Sequence, residues 1–173
     1  MRLLLTTPLA LLGALLTAGC TTVSSHVLVP EALNVERSVG GSVSISTSGS
    51  PKRAYVMRPV VTAEAIQDAL TAAIEETGIF DRIVSAGADR HLSVSVERID
   101  EPEIGLDQTC TVTLRWRLAT GDGSRTLWES RITTKRTLDF LDEFDPEARG
   151  QLAIEGALRL NLREGLEQLS QEG

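Results

Sequence analysis

An α+β fold is what three features of this 173-residue sequence predict: an antiparallel sheet, a β-meander of three to five strands, with two helices packed on one face. Apolar residues recur at helical spacing over residues 62–77 and again from Ile154 to Leu169, which marks two amphipathic helices. Between them, at residues 92–97 and 109–119, the period falls to two, the mark of strands with one buried face. The order of elements is weak β, helix, short β, meander and closing helix, and it packs both helices on the same side of a sheet.

The chain opens with Met1 and Arg2, followed by an apolar run from Leu3 to Leu16 that ends in Thr17-Ala18-Gly19-Cys20. One positive charge, an apolar segment short of the about 20 residues that a spanning helix needs, and small residues before a cysteine form a secretory signal. Residues 1–19 are expected to be removed. Leu16-Thr17-Ala18-Gly19-Cys20 also resembles the bacterial lipobox, which implies that the Cys20 thiol receives lipid and that the new amino terminus is acylated. An ordinary cleaved signal with an accidental cysteine is the alternative. In the Gram-negative lipoproteins that this pattern resembles, Asp after the cysteine favours the inner membrane. Thr21 therefore implies the outer membrane, periplasmic face. One acyl chain at about 0.8 kcal/mol per buried CH₂ anchors marginally, and several anchor stably. Residues 20–25 then form a lipidated cysteine and tether, and residues 26–173 a single α+β periplasmic domain.

Without the leader 154 residues remain, enough for one domain with a substantial core. Without Arg2 the basic residues number 16 against 24 acidic ones, a formal net charge of −8. An acidic surface argues against nucleic acid and against electrostatic docking on anionic lipid, so membrane contact is expected through the lipid on Cys20. With Cys20 modified, Cys110 is the one remaining thiol and no internal disulfide is possible. Cys110 stands in an apolar, β-branched run and reads as buried and inert.

From His26 to Val35, apolar residues interrupted by Pro30 give an edge strand at best. The Ser/Gly-rich residues 38–50 carry Val39, Val43 and Ile45 and read either as a weak strand or as a loop. In the first helix Ile66, Ala69, Leu70, Ala73 and Ile74 share a face, Thr62 caps the start, and Gly78 stops the end. Ile79, Phe80, Ile83 and Val84 lead into a short strand, and Leu92, Val94 and Val96 form the inward face of the next. Cys110, Val112, Leu114, Trp116 and Leu118 alternate with polar residues, and Thr120-Gly121-Asp122-Gly123-Ser124 turns the chain into a return strand, so residues 109–138 read as a long hairpin. Trp116 and Trp128 are expected to be neighbours across it. Asp145 and Pro146 open the last helix, whose stripe is Ile154, Leu158, Leu162, Leu166 and Leu169.

The residues that carry chemistry are scattered. His26 and His91 are far apart in sequence, and there is no metal-ligand pair, no phosphate-cradling glycine loop and no nucleophile elbow. His91 reads as a strand-boundary residue. The acidic run of Asp139, Asp142, Glu143, Asp145 and Glu147 lacks the glycine and spacing of a calcium loop and reads as a solvated loop and helix start. Phe140 and Phe144 within it are expected to anchor the loop in the core, with an exposed partner site as the alternative.

The segments Ile66-Gln67-Asp68-Ala69-Leu70, Glu76-Thr77-Gly78-Ile79-Phe80, Leu92-Ser93-Val94-Ser95-Val96 and Leu114-Arg115-Trp116-Arg117-Leu118, with the terminal helix, resemble Gram-negative envelope lipoproteins. They resemble most the ABC-type transport auxiliary lipoproteins, and also the outer-membrane lipoprotein of lipopolysaccharide assembly and YajG-like lipoproteins. The likeness spans about residues 60–170, and residues 38–50 fall outside it. The absence of a catalytic constellation in the sequence leads to the expectation of a non-enzymatic accessory or scaffold of envelope transport or assembly, with no catalytic residue, no metal and no cofactor. The partner is then an envelope protein. A regulator binding a peptidoglycan synthase and an enzyme with an unrecognised site are the rival expectations.

Overall fold

The computed structural model describes residues 22–49 and 60–172; the leader, Cys20, Thr21 and Ser50 lie outside them. The elements are β1 (Ser42–Ser48), α1 (Ala63–Thr77), β2 (Arg82–Ile83), β3 (Arg90–Asp100), β4 (Gln108–Thr120), β5 (Thr126–Leu138) and α2 (Pro146–Glu172). The five strands form one sheet in the order β2-β1-β3-β4-β5. β3, β4 and β5 make the expected antiparallel meander.

The sheet departs from the expected pattern at β1, which lies inside it and runs parallel to both β2 and β3, with Ser44 beside His91 and Thr47 beside Val94. The reason is the helix between β1 and its partners. α1 carries the chain back along the sheet, so the next strands must start from the same end as β1. Residues 25–28 also differ from expectation: they form a 3₁₀ turn, not an edge strand, and Pro30 has no N–H to give to a sheet. From there the chain lies against α2, with Arg159 Nε donating to the Val27 carbonyl at 2.9 Å and the Glu36 N–H donating to Ser170 Oγ at 3.3 Å.

Both helices cover one face. Thr62 Oγ1 accepts from the Ala65 N–H at 3.1 Å and Gly78 closes α1 in the left-handed region, as their positions predict. Thr47 Oγ1 on β1 donates to the Ala63 carbonyl at 2.7 Å, which ties the start of α1 to the end of β1. Ile66, Leu70 and Ile74 of α1 and Leu158, Leu162, Leu166 and Leu169 of α2 are buried with Leu92, Val94, Cys110, Val112, Leu114, Trp116 and Leu118 of the sheet in one continuous core. Trp116 and Trp128 both point into it but sit diagonally, since Trp116 faces Ser130 and Trp128 faces Leu118.

Asn161 and Thr134, buried between α2 and the sheet, are both paired. Asn161 accepts from Trp116 Nε1 at 3.2 Å and donates to the Ile132 carbonyl at 2.9 Å, and Thr134 Oγ1 donates to the Ala157 carbonyl at 2.7 Å. On the other face, a bulge between Val96 and Arg98 sets Glu97 between Arg115 and Arg131, each with Nε at 2.6 Å. The hydrogen bonds from Arg131 and Arg115 hold the Glu97 carboxyl below its usual range.

At the hairpin tip Asp122 Oδ1 accepts from Thr120 Oγ1 at 2.6 Å and from the N–H and hydroxyl of Ser124 at 3.0 and 2.9 Å. The Thr120 hydrogen bond leads in pulling its pKa from 3.8 to about 2. A carboxylate with a depressed folded-state pKa stabilises above its unfolded value and loses that contribution as pH falls through the folded one. Wild type is therefore expected to lose stability relative to Asp122→Asn between pH 3.8 and about 2, read by urea unfolding at each pH. Parallel curves for the two proteins would show that the turn does not depend on this charge.

Candidate functional site

The residues singled out by the sequence do not converge. Cys110 is fully buried on the helix-facing side of β4. His26 lies in the 3₁₀ turn over the helices, with Nδ1 2.7 Å from Ser24 Oγ. His91 lies on the opposite face of the sheet, where Nδ1 is 2.8 Å from Ser44 Oγ and Nε2 is 2.9 Å from Ser46 Oγ. Sequence could not show this ladder, because β1 and β3 are paired only by the crossover. It puts a hydroxyl on each ring nitrogen and ties β1 to β3 across the parallel seam. Among the described residues no group of three or more His, Cys, Asp or Glu is placed to hold a metal ion.

Two surface features stand out instead. The first is a groove where α2 runs beside β5, the strand at the end of the sheet. It opens into a cavity of about 380 Å³ whose walls include Leu138, Leu152 and Leu160 together with Arg136, Arg159 and Arg163. Gly156, also in its wall, lets the Arg136 side chain lie close over α2: a Cβ there would meet Arg136 Cγ at 3.0 Å. The groove continues along β5 past Thr133 and Lys135 to Glu164 and Glu167. Leu152 and Leu160 fall outside the apolar stripe of α2, and Arg159 and Arg163 are one turn apart; these were the readable signals of a second used face on that helix.

The second feature is an apolar corner. Leu106 is 75% exposed, Leu141 79% and Phe144 66%, and Ile104, Phe140 and Leu152 are also open to solvent. The expectation that Phe140 and Phe144 anchor their loop in the core fails: they pack edge to face on each other, with centroids 4.9 Å apart, on the surface. The loop is held by Arg149 instead. That side chain is buried, donates to the carbonyls of Glu143 and, at 2.7 Å, of Gly105, and stands 5.9 Å over the Phe140 ring. Arg149 thus joins the β3–β4 and β5–α2 loops, and a lone arginine in an acidic first turn was its only trace in the sequence. Asp145 caps α2 as predicted, accepting from the Glu147 N–H at 2.8 Å.

No family model matches the chain and no curated protein matches its sequence. Solved structures do match its fold. A Xanthomonas campestris protein of the family designated DUF330 superposes with a TM-score of 0.61 at 16% identity, covering 88% of this chain and 93% of that one. A minor lipoprotein from Acinetobacter baumannii gives 0.52 at 9% identity, over 75% and 92% of the two chains. The PelC dodecamer from Paraburkholderia phytofirmans gives 0.51 at 16% identity, over 78% and 89%. The fold is thus one that bacterial lipoproteins use.

Proposed function

We propose that this protein is a lipid-anchored outer-membrane lipoprotein facing the periplasm that works by binding, as an accessory or scaffold of envelope transport or assembly. The observation that carries the reading is the groove between α2 and the outer edge of β5. A thirteen-residue strand at the end of a sheet, beside a helix, suits the docking of an extended segment of an envelope protein. The leader and Cys20 supply the address, and the assembly of PelC, which shares the fold, into a dodecamer fits a role in which surfaces matter.

Complementation of a deletion strain, with fatty-acid labelling, membrane fractionation and immunoblotting, tests each part. Cys20→Ala is expected to lose the label and leave the membrane fraction. Leu160→Glu, which puts a charge into both stretches of the groove, is expected to be stably produced yet inactive, and His91→Ala to complement fully. Label persisting on Cys20→Ala overturns the anchor, and full activity of Leu160→Glu overturns the groove. A stable His91→Ala that fails to complement would favour catalysis at the Ser44–His91–Ser46 ladder.

A further inference from the structure

We infer that the apolar corner formed by loops 101–107 and 139–145 rests on the bilayer that carries the anchor, with Leu106, Leu141 and Phe144 entering the membrane interface. The inference rests on the lipidation of Cys20 proposed above and adds a second, non-covalent contact to it.

Six of the seven large apolar side chains exposed among the described residues, Ile104, Leu106, Phe140, Leu141, Phe144 and Leu152, belong to the two loops and the first turns of α2. Soluble proteins leave such side chains scattered singly, and a cluster on one end marks a surface that meets something apolar. The start of the domain points to what that is. Followed backwards, the N-terminal segment climbs α2 from Ser170, beside Glu36, to Arg159, beside Val27, in the direction of Pro146. Pro146 is held against the beginning of β4, where Gln108 Nε2 donates to its carbonyl at 2.7 Å, so that end of α2 is the end that carries the corner. Val23 then bonds to the Val60 carbonyl at 2.9 Å, just before the start of α1, which Thr47 ties to the end of β1 that runs toward the same side as the end of β3. Cys20 is two residues before Thr22, a span of at most about 7 Å. The lipid therefore leaves the domain on the side of the apolar loops.

Charge selects the kind of membrane surface. Glu103, Asp107, Asp139, Asp142 and Asp145 surround the apolar side chains and are exposed, so the corner suits zwitterionic headgroups and is repelled by anionic ones. Arg149, by bonding to a carbonyl in each loop, presents the two loops as one rigid surface and lowers the ordering cost of insertion.

The test uses the full chain, matured in a bacterium and reconstituted into phosphatidylethanolamine–phosphatidylcholine vesicles with bromine on the acyl chains. Leu141→Trp places a probe in the corner. Leu127→Trp places one at the far end of β5, about 40 Å away, on another exposed site. The mass of the N-terminal peptide reads acylation of Cys20 separately. The expected result is an acylated chain in which bromolipid quenches the added emission of Leu141→Trp about twofold or more and leaves that of Leu127→Trp unchanged, with weaker quenching when phosphatidylglycerol is added. An acylated chain in which neither probe, or both equally, are quenched leaves the anchor standing and overturns the docking. Quenching that strengthens with phosphatidylglycerol also overturns it. An N-terminal peptide without acyl mass overturns the anchor reading and this inference together.

Discussion

Gly165→Ala is expected to destabilise the protein by about 3 kcal/mol, although alanine in a helix interior normally stabilises by about 1 kcal/mol over glycine. Gly165 lies mid-helix in α2 with its Cα against the six-membered ring of Trp116, and a Cβ built there falls well inside contact distance of Cζ2, Cε2 and Cη2. Trp116 cannot yield easily. It is fully buried, and its Nε1 is engaged by Asn161, one helical turn before Gly165. The clash therefore has to be relieved by moving α2 off the sheet, which opens the core over several residues. Urea unfolding of Gly165→Ala, Trp116→Leu and the double variant measures the pair: the double variant should be more stable than the sum of the single losses predicts, by about 1 kcal/mol or more. Simple additivity would place the cost elsewhere than at the ring.

Leu162→Ala is the second large effect, an expected loss of about 2–5 kcal/mol. Leu162 is fully buried in the middle of the α2 stripe and belongs to the same core as Leu114 and Leu158. The methyl groups removed face the sheet, with no solvent to fill the space. A loss under about 1 kcal/mol in urea would mean that α2 is a peripheral helix and that the core is carried by α1 and the sheet alone.

The parts of this fold that could be read in advance are those whose cause is local. α1 and α2 declared themselves through apolar spacing and through Thr62, Gly78 and Asp145 at their ends, and β4 through strict alternation. β1 was only half legible because its sequence, Ser42–Ser48, offers the core little beyond Val43, Ile45 and Thr47, and because its partners are chosen by the path of α1. Gly156 and Gly165 carry no signal of their role in the sequence, because each is a position where a side chain of the sheet passes close to the helix backbone. The apolar corner was misread for a related cause. Whether Phe140 and Phe144 are inside or outside depends on the direction of a loop, and that direction is set by Arg149, whose two acceptors lie on different loops. The paired arginines of the groove were visible as a spacing, but the cavity they face exists only once α2 lies along β5.

The placement of β1 also bears on how fast the molecule forms. Arg117 and Glu129, partners in the β4–β5 hairpin, are twelve residues apart in sequence, whereas Ser44 and His91 on the parallel seam are 47 apart. Short loops close first, and α2 follows β5 directly, so a hairpin with its covering helix can collapse as an early nucleus. β1 has to wait until α1 has folded back and β3 is in place, and then insert between β3 and the two residues of β2. In the exported lipoprotein proposed above, the N-terminal residues would cross first. On that proposal, the seam that closes last belongs to the strand that arrives before any of its partners, and its serines Ser44, Ser46 and Ser48 let that strand wait in water without sticking to itself.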